Sequence, residues 1–292
     1  MTRAPSPDPA PTDALPRLPD WLRRPPAETL EEAGFSAGVA LALLHQVQGR
    51  SEVPLALWRA RLALQAAAQT ARHAGRPERE VAIRDALCLM RPGDAPGPAG
   101  EIGLAWLRAV ERPVSAETLA RALPQLEDGR AAPRPGGPIQ QAADAIEAAL
   151  AGAPRDHRTA LILGDAALAR ALGWTHLVPI LGLGLARRDL GAGGGDLRLA
   201  CHRAVLKAAG PALQLAAELT RRAVRLQAVA PRLRAKGAGR AVDLVRSRDA
   251  IAPAMLTGLM SDRAARRFCD RLVELGAGRE LTGRETFRLY GL

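Results

Sequence analysis

Where this chain puts its prolines and glycines constrains its fold more than any other feature. It has 23 Pro and 28 Gly, two residues that a helix interior tolerates poorly. They cluster at a limited set of breaks and leave long stretches free of both, such as Leu55–Ala74. Those stretches are rich in Ala, Leu, Arg and Glu, which hold helices well. Hydrophobic residues make up 48% of the chain and aromatics only 3%, so the cores must be built from Leu, Ala, Val and Ile. The expectation is an all-α protein: a multi-helical N-terminal body followed by a C-terminal unit with a short β-hairpin.

Met1 to Pro26 contains eight prolines and reads as a disordered or polyproline-like lead-in. Trp21-Leu22 is either a small anchor onto the body or part of a flexible tail. Helices are expected over Ala27–Gln48, Leu55–Ala74 and Pro77–Leu89, broken at Pro54 and at Gly75-Arg76-Pro77. Arg91–Gly100 holds three prolines and three glycines in ten residues. It reads as a shaped structural loop, with a recognition role as the second reading. Short helices follow over Glu101–Val110 and Ser115–Leu123, then an exposed loop or joint over Glu127–Pro138. Pro138–Ala151 and Asp156–Leu172 are amphipathic. Trp174–Arg188 reads as an apolar helix kinked or started at Pro179. Gly191-Ala192-Gly193-Gly194-Gly195 reads as a flexible joint, with Asp196 as the next N-cap and two helices over Leu197–Ala209 and Pro211–Ala228. The expected organisation is a tail (1–26), a helical body (27–195), a basic connector (196–239) and a C-terminal unit (240–292).

The last stretch, Ser261–Leu292, carries the most information. Ser261 is a good N-cap, because its hydroxyl can accept a bond from an orphan N–H of the first turn. Asp262 complements the helix dipole. Ala265, Phe268, Leu272 and Leu275 form one apolar stripe at spacings of three and four. Gly276 supplies a C-terminal stop. Arg279–Thr282 and Thr286–Tyr290 are rich in β-formers and flank Gly283-Arg284-Glu285, which suits a hairpin turn. Upstream, Arg240–Ser247 and Ile251–Gly258 read as a helix and a shorter helix. Helix, short helix, tight turn, longer helix, hairpin is the winged-helix order. In that geometry the third helix enters the major groove by its N-terminal half. Arg263, Arg266 and Arg267 would lie there, with Arg284 and Arg288 contributed by the hairpin. A packing cap or a protein-contact winged helix would give the same pattern.

Charge supports the same end of the chain. From Asp196 onward there are 19 Lys plus Arg against 9 Asp plus Glu, whereas the first 195 residues hold 22 against 21. A clustered basic excess is the electrostatic footprint of a polyanion partner. Only Lys207 and Lys236 are lysines and there is no Asn, the mark of a GC-rich genome. That bias accounts for Arg in place of Lys, and leaves the local imbalance to be explained. The run Arg221, Arg222, Arg225, Arg232, Arg234, Lys236 and Arg240 reads equally as a solvated face.

Reaction chemistry is not visible. Cys88, Cys201 and Cys269 are scattered, as expected of reduced thiols in a cytoplasmic protein. The five histidines form no HExxH motif and no zinc spacing. Cys201-His202 are adjacent, which on a helix points them apart. Gly182–Arg187 lacks the third glycine of a dinucleotide motif. Asp94, Asp165 and Asp196 have no partner that sequence can place. The most apolar run, Gly173–Ala186, has 14 residues, too few to span a bilayer, and the N-terminus has no signal pattern. The expectation is a non-enzyme with no cofactor or metal and no inferred small-molecule substrate. DNA is the expected partner. The alternative is a helical scaffold that binds another protein through its body, with no nucleic-acid contact.

Three stretches carry a resemblance. Trp58–Leu64 through Arg84-Asp85-Ala86, the loop Arg91–Gly100, and Arg279–Arg284 with Phe287–Gly291 are similar to an alphaproteobacterial family, the domain-of-unknown-function 1403 family. The loop is the most specific of them. The end of the chain also resembles the helix-turn-helix tails of other bacterial families. The resemblance implies a bacterial cytosolic protein. It carries over no activity and no catalytic residues.

Overall fold

The computed structural model describes residues 15–23, 27–90, 93–126, 135–282 and 287–292. The chain is mostly helical, with one small antiparallel hairpin at its end. The helices are α1 (Leu30–Gln48), α2 (Leu55–His73), α3 (Glu80–Cys88), α4 (Gly97–Glu111), α5 (Ala116–Ala122), α6 (Pro138–Gly152), α7 (His157–Ala171), α8 (Ile180–Gly184), α9 (Gly194–Val229), α10 (Ala238–Ser247) and α11 (Asp262–Glu274). The strands are β1 (Arg279–Glu280) and β2 (Tyr290–Gly291). Among the described residues, four helices start on a side-chain cap: Thr29, Ser115, Asp156 and Ser261 accept the N–H of Glu32, Thr118, Thr159 and Ala264. Each cap satisfies a donor that the helix cannot use.

Alanine and leucine fill the interior, as the low aromatic content requires. α1 lies against α9, α2 against α4, and α6 against α7. One contiguous apolar cluster runs from Leu18 to Leu292. Three tryptophans are buried with their N–H groups engaged, as a buried indole needs. Trp58 Nε1 donates to the Ala212 carbonyl at 2.9 Å, Trp106 Nε1 to Thr70 Oγ1 at 3.0 Å, and Trp174 Nε1 to His45 Nδ1 at 3.0 Å. At the N-terminal side, Leu18 and Leu22 enter the core and Trp21 stacks on Phe35 at 5.9 Å. Residues 15–23 therefore follow the anchor reading.

Several elements differ from the sequence reading. α9 is one helix of 36 residues, ~54 Å long at 1.5 Å per residue, where two were expected. Pro211 removes one backbone bond without ending it. The buried stripe Ala204, Val205, Ala208, Ala212, Leu213 and Ala216 runs straight through, so packing outweighs the local penalty. Gly194 and Gly195 form its first turn, and Gly193, not Asp196, is the N-cap. The apolar run Trp174–Arg188 holds only the five-residue α8. Before it the chain is pinned to the end of α4: Val114 N–H donates to the Thr175 carbonyl and Pro113 bridges His176. α8 itself begins where the buried Asp165 carboxylate accepts the N–H groups of Ile180, Leu181 and Gly182 at 2.8–3.0 Å. The loop expected over Arg91–Gly100 is shorter, because α4 starts at Gly97 with Pro98 in its first turn, where a missing N–H costs nothing. Most of the expected loop Glu127–Pro138 lies outside the described residues.

At the C-terminus, the helix expected over Ile251–Gly258 is a single 3-10 turn, Pro253–Leu256. Ile251 cannot be helical because it is paired: its N–H donates to the Tyr290 carbonyl at 2.8 Å and its carbonyl accepts the Tyr290 N–H at 2.9 Å. Tyr290 also faces Glu280, and Gly291 faces Arg279, in the antiparallel hairpin. The last strand is thus held on both edges. One polar joint ties this end to the body. Asp249 accepts from Arg61 of α2 and from Arg84 of α3, the latter at 2.5 Å. Arg61 Nη2 also reaches the Asp249 carbonyl at 3.2 Å and the Leu292 carbonyl at 3.4 Å.

Candidate nucleic-acid interface

The sequence pattern of α11 is realised along its length. Ala265, Phe268, Cys269 and Leu272 are buried, and Arg263, Arg266, Arg267, Asp270 and Arg271 are exposed. Gly276 takes φ +62° just past the helix end, a conformation that side chains strain to adopt. The guanidinium of Arg225 from α9 lies against it, a favourable place for a cation at the negative end of a helix.

Arg263, Arg267 and Arg271 are spaced four apart and share one face. They form one wall of a groove of about 370 Å³, whose other wall is the segment after α9 with Arg232, Leu233, Arg234 and Ala235. Leu233 and Phe268 are buried beneath. Five arginines thus line one groove, and among the described residues no acidic one does. Ser261 at the α11 N-terminus lines it too. The segment is set in place by Gly237, which has φ +83° and would bring any Cβ to 2.5 Å from the Leu259 carbonyl oxygen. Only glycine fits that close approach in that conformation.

The arginines expected at the site divide. Arg263 and Arg267 enter the groove and have no acidic partner among the described residues. Arg266 points off that face and pairs with Asp262 at 3.1 Å, both exposed. Arg271, which the sequence reading passed over, joins the groove and pairs with Glu274 at 2.7 Å. Arg288 faces Glu280 at 3.8 Å beside β1. Arg284 lies outside the described residues. Arg232 and Arg234 read in sequence as part of a basic run that could equally be a solvated face, and only the fold brings them to α11. Phe287 is exposed at the hairpin with φ +56°, a value uncommon outside glycine.

The groups that usually signal catalysis are elsewhere and subdued. Burial pushes the Cys88 thiol up to about 11 and those of Cys201 and Cys269 up to about 12, away from the thiolate that reacts. Burial, then the nearby His157 and arginines, hold His73 down to about 4. Among the described residues no group of three His, Cys, Asp or Glu could hold a metal ion, and no helix is long and apolar enough to cross a membrane.

The family model described as "Protein of unknown function (DUF1403)" matches residues 8–292. No curated protein and no solved structure matches the chain. The chain belongs to the DUF1403 family.

Proposed function

We propose that the C-terminal unit is a winged helix that binds duplex DNA, with α11 and the Arg232–Arg234 segment as the contact surface. The order α10, 3-10 turn, α11, hairpin supports the fold assignment, as does the pairing of Ile251 with Tyr290, which ties the hairpin back between the first two helical pieces. The observation that carries the binding reading is the acid-free groove of five arginines on the exposed face of α11. Phosphate neutralisation by arginine supplies affinity, and a helix presented to the major groove supplies base contact. Arg263 and Arg267 are the residues of first importance, since no carboxylate among the described residues competes for them. Arg266 is secondary, because Asp262 already holds it.

The test is fluorescence anisotropy with a random-sequence duplex at about 50 and 200 mM salt. Binding should be strong at the lower salt and fall by orders of magnitude at the higher. Arg263→Ala with Arg267→Ala should reduce the salt slope by about 2, one for each phosphate that is no longer neutralised, with Arg266→Ala closer to wild type. No binding at low salt, or an unchanged slope in the double variant, would overturn the assignment. The helical body as a protein-binding scaffold would then become the better reading.

A further inference from the structure

A second cavity lies in the helical body and shares no residue with the arginine groove. It measures about 920 Å³ and opens between α1, the start of α6 and the first turns of α9. Its walls are apolar: Leu41 and Ala42 from α1, Ile139 from α6, and Leu172. Gly34 and Gly38 leave α1 without side chains where it faces the space, and a Cβ built on Gly38 meets nothing within 4 Å. Ligand pockets of this kind are apolar spaces of roughly 300–1,000 Å³ with a few converging polar groups.

The polar groups define what it would hold. Among the described residues no acidic one lines the cavity, and Arg198 is its one arginine or lysine. Among the same residues Arg198 has no carboxylate partner; its guanidinium donates to the side-chain oxygen of Gln140. Gln140 in turn donates to Asp144 at 2.6 Å, which fixes the amide with its oxygen toward the arginine. Two histidines complete the rim. Burial, and then Arg198 itself, lower the pKa of His202, which keeps that ring neutral. His45 accepts the Trp174 indole N–H on Nδ1, which puts its own proton on Nε2, a donor at the cavity edge. An apolar chamber with one uncompensated guanidinium and neutral donors is complementary to an apolar molecule carrying one negative charge. A guanidinium binds a carboxylate in a planar two-point fashion that an alcohol cannot match.

We propose that this cavity is a binding site for an amphipathic monocarboxylate, with the carboxylate on Arg198 and the apolar portion along α1 and Ile139. The experiment is isothermal titration calorimetry of the full chain with three probes of equal chain length: decanoate, decanol and decylamine. Decanoate should bind. Decanol should bind at least ~10-fold more weakly, the ratio expected for loss of one charge-assisted hydrogen-bonded pair, and decylamine more weakly still. Arg198→Gln should bring decanoate to the level of decanol and leave decanol unchanged. Gly38→Leu should narrow the chamber along α1 and weaken decanoate binding without lowering the melting temperature, since leucine favours a helix over glycine. Absence of decanoate binding to the wild-type chain at millimolar concentration would overturn the proposal. So would equal affinity for decanoate and decanol, or wild-type affinity in either variant. The wild-type probe series decides the matter even where a variant fails to fold.

Discussion

Asp249→Ala removes the carboxylate that two interior arginines both contact directly. The side chains of Asp249, Arg61 and Arg84 are 12%, 6% and 8% exposed, so solvent cannot replace the lost carboxylate. Breaking a buried ion pair from one side costs about 3–5 kcal/mol, because the remaining charge is left without compensation. Here two guanidinium groups lose a shared hydrogen-bonding carboxylate and repel each other, while Glu80 stays nearby as a partial counter-charge, so the loss should fall within that range. For a chain of this size ~1 kcal/mol moves the melting temperature by about 2 °C, so Asp249→Ala should melt ~6–10 °C lower. Thermal and urea unfolding followed by far-ultraviolet circular dichroism measure it. Adding Arg84→Met to Asp249→Ala should return part of the stability, since one stranded cation is then gone; that non-additivity is the signature of a shared partner. Arg266→Ala is the control, because its pair with Asp262 is exposed and such pairs are worth about 0–1 kcal/mol. A loss under ~1 kcal/mol for Asp249→Ala, or strict additivity with Arg84→Met, would refute the view that this joint holds the C-terminal unit on the body.

Two other predictions concern single positions. Burial pushes the Asp165 carboxyl up to about 7 against three backbone N–H groups that favour its ionised form. The folded chain therefore keeps a proton there that an unfolded chain, with an ordinary value of 3.8, gives up. Its stabilising contribution is complete below about pH 4 and is lost as pH rises through 7, up to ~4 kcal/mol in all. His73, held down to about 4, acts in the opposite direction, losing stability as pH falls from its ordinary 6.5. The comparison should therefore be wild type against Asp165→Asn, in which the histidine contribution cancels. The advantage of wild type should shrink from pH 4 to pH 8, and an advantage that stays level or grows would show that the three N–H groups outweigh burial. Gly237→Ala should cost ~1–3 kcal/mol from its left-handed conformation and the 2.5 Å approach to Leu259. It should also weaken the proposed DNA binding by displacing Arg232 and Arg234, and intact affinity would separate that segment from the proposed site.

Local signals are readable in the sequence and long-range ones are not. α11 is legible from cap to stop because Ser261, the stripe Ala265–Phe268–Leu272 and Gly276 act within a few residues of one another. The same holds for the hairpin, although its strands are shorter than the β-formers suggest. Pro211 misleads because a proline signals a break by its own chemistry, while the alanine stripe that overrides it matters only once α1 and α8 are packed against it. The run Trp174–Arg188 misleads for the converse reason. Apolar composition cannot distinguish a buried helix from a buried extended segment, and Asp165, which starts α8 at Ile180, is 15 residues upstream. The Asp249 joint spans 165 and 188 residues, beyond any pattern reading. Ile251 reads as helical in sequence because its strand partner, Tyr290, is visible only in three dimensions.

The arginine groove lies between these extremes, and the fate of the local basic excess explains it. Many cations after Asp196 are used up within the fold. Glu218 takes Arg222 at 2.6 Å, Asp262 takes Arg266, Glu280 faces Arg288, and Arg225 lies at the end of α11. The (i,i+4) pairings among these follow from spacing alone, and rank Arg266 below Arg267. Among the cations that none of these contacts engages are Arg263, Arg267, Arg232 and Arg234, and these four line the same groove. Codon bias explains why these residues are arginines and not lysines. It does not place on facing walls four that no carboxylate among the described residues pairs with, where each raises the cost of leaving the others unneutralised. A polyanion that neutralises several at once relieves that repulsion, which is why affinity should fall with salt more steeply than a scattered set of the same charges would produce.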